Sequence, residues 1–267
     1  MQNTIQNIDN SAPIGVFDSG IGGTSIWNEI NQLLPSENSI YLADSAHAPY
    51  GIRSKEEIIS LSEKNTKLLL EKGCKIIVVA CNTATTNAIK YLRKKYNVPF
   101  IGIEPAIKPA SLKTKSKVVG ILATKGTLSS SLFQETTNHY KEEIEILEQD
   151  GTGIVELMEH GKLDSVEMVN LLQLYISPMV EKGMDHLVLG CSHYPYLIPI
   201  LKKILPVEVK IIDSGFAAAK QTKAILQLNN LLNNSKEIGK HNFYTNGSAD
   251  VLKQILENRF NVSALDF

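Results

Sequence analysis

The chain has 267 residues, 43% of them hydrophobic and 21% charged, with a formal net charge of −1. This length allows one large domain or two smaller ones, and the near-neutral charge argues against a nucleic-acid or membrane-surface binder, which needs a basic excess. The first thirteen residues show no basic n-region or apolar h-region, no apolar run approaches a membrane span, and there are three cysteines, so a cytoplasmic protein with free thiols is expected.

Short β-rich runs alternate along the chain with longer helical patterns. The first strand is predicted over 14–17, a second over 40–42, then a helix over 54–71 in which Ile58, Leu61, Leu68 and Leu69 recur at helical spacing. A strand over 75–80, a helix over 85–96 and strands over 100–103 and 118–122 follow. Next come a helix over 129–139, a strand over 144–147, a helix over 165–181 and a strand over 186–189. A helix over 196–204, a strand over 209–212 and helices over 216–231 and 248–259 complete the series. Mostly apolar strands alternating with helices predict an α/β protein with mainly parallel sheets covered on both faces.

A repeat lies on top of this alternation. Gly73 to Cys81 and Gly183 to Cys191 each run glycine, apolar strand, cysteine, with identical spacing, and a polar pair follows each thiol. Upstream, Gly15-Val16-Phe17-Asp18-Ser19-Gly20 resembles Gly120-Ile121-Leu122-Ala123-Thr124-Lys125. The simplest reading is two similar, pseudo-twofold-related domains with a site in the cleft between them. Residues 1–103 plus 214–267 would form the first and residues 104–213 the second, the tail returning to complete the first.

In parallel α/β sheets, ligands gather at the carboxyl ends of the strands, where helix N-termini present free N–H groups. The tip Asp18-Ser19-Gly20-Ile21-Gly22-Gly23 offers glycines for close backbone approach and amides for an anion, although it lacks the dinucleotide spacing. At Cys81-Asn82-Thr83, a buried cysteine starting a helix is the plain alternative to a reactive thiol. At Cys191-Ser192-His193, a helix N-terminus and a nearby imidazolium would activate the thiol; the histidine could instead bond a backbone carbonyl. Thr124 reads as a ligand contact. Asp44 to Gly51, with Pro49-Tyr50-Gly51, reads as a structured loop able to close over a site, His47 as a surface histidine and Cys74 as structural. No metal-ligand spacing is present. Two thiols at equivalent tips suit proton transfer at a carbon beside a carboxylate, one removing the proton and the other returning it on the opposite face. Asp18 would tune one and His193 the other, and amides aimed at the carboxylate would stabilise the developing charge.

Taken together, these segments resemble the glutamate racemases of the cofactor-independent aspartate/glutamate racemase superfamily. The resemblance spans nearly the whole chain. It adds Ala43-Asp44-Ser45, Gly102-Ile103-Glu104-Pro105, Leu189-Gly190-Cys191-Ser192-His193-Tyr194-Pro195 and Ile212-Asp213-Ser214-Gly215 to the motifs above. It implies Cys81 and Cys191 as the acid/base pair, Cys81 acting on the D-enantiomer and Cys191 on the L-enantiomer, with Asp18, His193 and Glu159 in support. It further implies substrate contacts from Asp18, Ser19, Tyr50, Gly51, Asn82, Thr83, Ser192 and His193. No PLP or metal is implied, and D-glutamate for peptidoglycan would be the product. The partner is the small-molecule substrate, and a homodimer stays open. Two departures from the family pattern stand out: Ser192 where many members have Thr, and Gly151-Thr152 where many have Cys-Pro. The second loosens the register near Glu159 and leaves Glu156 as its substitute. An aspartate racemase, an amino-acid-binding protein on the same fold and a thiol–disulfide protein are the competing readings.

Overall fold

The computed structural model describes residues 9–267; residues 1–8 of the polar N-terminal stretch lie outside the described residues. Strand β1 (Ile14–Asp18) is buried along its whole length, as an apolar strand covered on both faces must be. Helix α1 (Thr24–Leu33) leads from it to β2 (Ser39–Ala43), and two short 3₁₀ turns (Ser45–His47 and Tyr50–Ile52) precede α2 (Lys55–Glu71). Ser54 and Glu57 form a capping box that fixes where α2 begins, the Ser54 side chain accepting from Glu57 N and the Glu57 carboxylate accepting from Ser54 N. Then follow β3 (Ile76–Val79), α3 (Asn82–Lys95), β4 (Phe100–Gly102) and α4 (Ile107–Lys113). The next unit comprises β5 (Val118–Ala123), α5 (Lys125–Leu128), α6 (Ser131–Asn138), β6 (Glu145–Asp150), α7 (Ile154–Glu159) and α8 (Val166–Glu181). It continues through β7 (His186–Gly190), a 3₁₀ turn (Tyr194–Leu197), α9 (Ile198–Ile204) and β8 (Lys210–Ile212). The chain closes with α10 (Gly215–Leu228), β9 (His241–Thr245), α11 (Ala249–Ile255) and β10 (Val262–Ala264).

The strands make two parallel sheets, as expected for an α/β chain. The first has six strands in the order β10-β9-β2-β1-β3-β4 and the second four in the order β6-β5-β7-β8. The series β2-β1-β3-β4 therefore recurs as β6-β5-β7-β8, so β3 and β7, the two strands ahead of the matched cysteines, hold the same place in their sheets. On one face of the larger sheet, Trp27, Ile30 and Tyr41 pack with Ala219 and Phe243; on the other, Phe17, Ile58, Ile77 and Leu92 form a separate cluster. The smaller sheet is likewise covered on both faces.

Helices α1, α4, α5 and α7 and strands β9 and β10 go beyond the elements read from the sequence. Helix α1 starts at Gly23, which supplies no side-chain cap. Strand β9 carries the polar sequence His-Asn-Phe-Tyr-Thr, with only Phe243 and Thr245 buried, and pairs with β2 from Ser39↔His241 to Ala43↔Thr245. The expected helix over 196–204 is split, its first part being the 3₁₀ turn that contains Pro195.

At the opposite end of the larger sheet from the strand tips, Lys75 is fully buried. Its Nζ donates to Asn10 O and Glu37 Oε2, both at 2.5 Å, and Glu37 Oε1 accepts from Asn233 N at 2.7 Å. Burial lowers the Lys75 pKa, and Glu37 opposes that shift. One ion pair thus ties together the N-terminal segment, the turn before β2 and the segment after α10.

Candidate active site

Cys81 lies two residues past the end of β3 and caps α3, its sulfur accepting from Ala84 N at 3.4 Å. The thiol lies 3.6 Å from Ser19 Oγ and is 4% exposed. Burial, and after it the charge of Asp18, pushes its pKa up, against the Ala84 amide and the Ser19 hydroxyl; the Cys191 charge acts in the same upward direction. Cys191 follows β7, is buried, and has His193 Nδ1 3.8 Å from its sulfur. Both thiols are free. The third, Cys74, is buried against Gly15 at the far end of β3, and burial pushes its pKa up to about 12, which suits the structural reading given to it.

Asp18, at the tip of β1, is fully buried. Its Oδ2 accepts from Gly20 N at 3.1 Å and Gly23 N at 3.0 Å, and its Oδ1 accepts from Ser192 Oγ at 3.1 Å. Burial raises its pKa; His193, 4.0 Å away, and the Gly23 amide oppose that. Glu159 ends α7 and reaches back to the same tip. Its Oε1 accepts from Ile21 N at 2.7 Å and lies 2.6 Å from His193 Nε2, while its Oε2 accepts from Ser45 Oγ at 2.8 Å. Of the two carboxylates weighed in the sequence, Glu159 is therefore the one that meets His193. Burial disfavours charge on His193, but its hydrogen bonds to Cys191 and Glu159, with the charges of Cys191 and Asp18, hold its pKa well above the usual histidine range.

This arrangement adds to the reading of the glycine-rich tip. The amides of Gly20 and Gly23 are taken up by Asp18 and that of Ile21 by Glu159, and its glycines make room for side chains of the protein itself. A Cβ on Gly20 would sit 1.9 Å from Glu159 Oε1, and one on Gly22 would sit 2.1 Å from His193 Nδ1.

Thr83, on α3, and Thr124, after β5, meet at 2.8 Å, with Thr127 Oγ1 3.2 Å from Thr83 and 3.1 Å from Thr124. Gly51 lies against Thr124, where a Cβ would come within 2.8 Å of the threonine Cβ. The Tyr50 hydroxyl is directed away from this cluster, donating to Asp44 Oδ2. Asn65 Nδ2 donates to the same two groups, and Asp44 Oδ1 meets His47 Nδ1 and Asn246 Nδ2. His47 is thus tied down by Asp44 rather than free at the surface, and the loop is ordered by one buried carboxylate. The Asn82 side-chain nitrogen is buried beside Cys81 with no hydrogen-bond partner. A buried unsatisfied donor at a strand tip marks a place for an acceptor. Sequence reasoning gave no role to Ser45, Asn65 or Thr127; Ser45 lies inside a quoted motif, yet its contact with Glu159 spans 114 positions and leaves no local signal.

Residues 14–222 match the family described as Asp/Glu/Hydantoin racemase. The chain belongs to that family. It is 43% identical over 235 residues to a glutamate racemase of Herpetosiphon aurantiacus, covering 88% of this chain and 92% of the relative. Among solved structures, a Bacillus anthracis glutamate racemase isoform aligns with TM-score 0.86 and 30% identity, over 96% of this chain and 98% of that one. Escherichia coli glutamate racemase, in complex with L-glutamate and the activator UDP-MurNAc-Ala, aligns with TM-score 0.84 and 31% identity, over 95% and 98%.

Proposed function

We propose that this racemase interconverts L- and D-glutamate by moving the α-proton between Cys81 and Cys191. The observation that carries the reading is the placement of two free, buried thiols after strands that occupy the same position in two sheets of matching order, beside Asp18 and His193 respectively. The similarity to glutamate racemases along almost the full chain supplies the substrate.

In the L-to-D direction the Cys191 thiolate takes the α-proton and the Cys81 thiol delivers one to the opposite face. In the D-to-L direction the two exchange tasks. The carbon acid is weak, so the negative charge growing toward the α-carboxylate needs fixed donors. The Asn82 amide and the N-terminal N–H groups of α3 are suited to that, and they act without reorganisation. Ser19, Thr83, Thr124, Ser192 and the Tyr50-Gly51 backbone complete the proposed substrate shell. Glu159 holds His193 in orientation, and the imidazolium stabilises the Cys191 thiolate. Residues 1–103 with 214–267 and residues 104–213 are the two proposed domains, closing on substrate between them. The proposed setting is bacterial cytoplasm, where D-glutamate serves peptidoglycan synthesis.

The test is a circular-dichroism assay of the purified protein without added PLP, offering L-glutamate, D-glutamate and L-aspartate in D₂O. Loss of ellipticity with both glutamate enantiomers, with deuterium entering the α-position, is expected. A protein that leaves both enantiomers unchanged, or racemises only aspartate, would overturn the reading.

A further inference from the structure

Asp44 follows β2 and opens the loop that carries Tyr50 and Gly51, and its carboxylate is buried. Oδ2 accepts from the Tyr50 hydroxyl and from Asn65 Nδ2 on α2, the latter at 3.3 Å. Oδ1 lies 2.5 Å from His47 Nδ1 and accepts from Asn246 Nδ2 at 2.5 Å. His47 belongs to the loop itself, so Asn246 is the partner of Oδ1 that comes from outside it. We propose that Asn246, in the turn between β9 and α11, is a positioning residue for this loop. It sets Asp44, and through Asp44 the Tyr50-Gly51 backbone, whose contact with substrate rests on the reading above.

The Asn246 amide spends all its hydrogen-bonding groups on this task. Nδ2 also donates to Phe267 O at 3.0 Å, and Oδ1 accepts from Ala46 N at 2.9 Å. With both N–H groups and the carbonyl engaged, the amide has one orientation. Its own turn is built in: β9 pairs with β2 as far as Ala43↔Thr245, Asn246 N donates to Ala43 O at 3.4 Å, and Gly247 N donates to Thr245 Oγ1 at 3.0 Å. The turn presses on the loop so closely that a Cβ on Gly247 would come within 2.6 Å of Ser45 Cβ. The loop in turn meets residues of the smaller sheet's unit near both its ends. Ser45 Oγ donates to Glu159 Oε2 at 2.8 Å, and Gly51 lies against Thr124. The bond from Asn246 to a buried carboxylate is charge-assisted and therefore stronger than a neutral one. Without it, Asp44 Oδ1 keeps only a partner that moves with the loop, and Ala46 N loses its acceptor.

Contacts made equally to substrate and transition state show in KM and spare kcat. In Asn246→Ala, KM for L- and D-glutamate is expected to rise about 10-fold, as loss of a hydrogen bond to a charged group implies, with kcat little changed. A residue that served folding alone would lower the melting temperature and the active fraction, and with it the apparent kcat, but leave KM where it was. Asn246→Leu fills much the same space without donors or acceptor, and its KM should be as high as that of Asn246→Ala. Trypsin gives a readout that needs no turnover. Arg53 ends the loop, its Nε donating to His47 O at 2.7 Å. Cleavage after Arg53 should be about 10-fold faster in Asn246→Ala than in wild type, because cutting follows the population of the opened loop. Unchanged KM in Asn246→Ala, wild-type KM in Asn246→Leu, or an unchanged cleavage rate would overturn the proposal. Wild-type protein inactive on glutamate would sink the catalytic reading, while the cleavage rates still decide whether Asn246 holds the loop, so the two failures are distinguishable.

Discussion

Ser192 Oγ donates to Asp18 Oδ1 at 3.1 Å, joining a residue beside one thiol to the carboxylate beside the other. Asp18 is fully buried in this contact, and burial raises its pKa. A raised carboxylate binds its proton more tightly in the folded state. The stability it contributes is therefore present below about 3.9, its unfolded value, and is lost as pH rises through the folded value. Asp18→Asn is expected to melt at or above the wild-type temperature at neutral pH, the difference shrinking in acid, while racemisation falls. Melting curves across a pH series check the first part and polarimetry the second.

Replacing either proposed acid/base thiol separates the two half-reactions. Cys81→Ser and Cys191→Ser should each lose roughly 10²–10⁴-fold in racemisation. With substrates that eliminate a β-leaving group after proton removal, each variant should keep activity toward one enantiomer and lose it toward the other. Equal, mild losses would return both cysteines to a structural role.

His193 gives a pH signature of defined sign. Its folded pKa lies well above the ordinary value despite burial, because Cys191 and Glu159 hydrogen-bond to it. The stability contributed by its protonated form is complete below about 6.5 and is lost as pH rises through the folded value. Activity that depends on the imidazolium should decline over the same alkaline interval. In His193→Asn both the stability slope and that arm of the rate profile should flatten, as read by thermal melts and kcat/KM against pH.

Two glycine substitutions should differ in kind. Gly22→Ala places a Cβ 2.1 Å from His193 Nδ1 and 2.6 Å from the His193 backbone nitrogen, so ring and backbone must both shift. Misplacement of the imidazole should cost about 10²-fold or more in rate, with some loss of stability from the backbone shift. Gly73, by contrast, has φ +78° and nothing within 4 Å of a new Cβ. Gly73→Ala should cost about 1–2 kcal/mol of stability, measured by urea unfolding, and leave the turnover of folded enzyme unchanged.

Lys75→Met strands the Glu37 carboxylate in the interior, where Lys75 had met it at 2.5 Å. Removing one partner of a buried pair costs about 3–5 kcal/mol. The double variant Lys75→Met with Glu37→Gln should regain part of that loss, because the charge is gone and the Asn233 N–H keeps an acceptor. Chemical denaturation of the wild type, the two single variants and the double variant gives the coupling.

What was legible in the sequence follows from where the information was local. Strands β1, β3 and β7 are built on the apolar runs 14–17, 76–79 and 187–189, which identified them, and the repeated glycine-to-cysteine spacing singled out Cys81 and Cys191. The membership of Asp18 and His193 in one cluster could be anticipated because each sits at a strand tip. The rest depends on distant pairing. Strand β9 reads as a loop until β2 supplies its partner. Helix α1 begins on a glycine without a capping side chain. The part that Gly20 and Gly22 play in seating Glu159 and His193 was not legible, because those two groups lie far along the chain.

The unequal surroundings of the two thiols carry a thermodynamic restriction. Cys191 has an imidazole 3.8 Å from its sulfur, whereas Cys81 has a serine hydroxyl and a backbone amide. Mirror-image amino acids have identical standard free energies in water, so their equilibrium ratio is unity whatever the catalyst. For a glutamate racemase, kcat/KM in the two directions must therefore be equal. Any advantage that His193 confers on turnover of one enantiomer has to reappear as a compensating change in how tightly that enantiomer is held. The asymmetry sets which enantiomer saturates the protein first, and has no influence on which one accumulates.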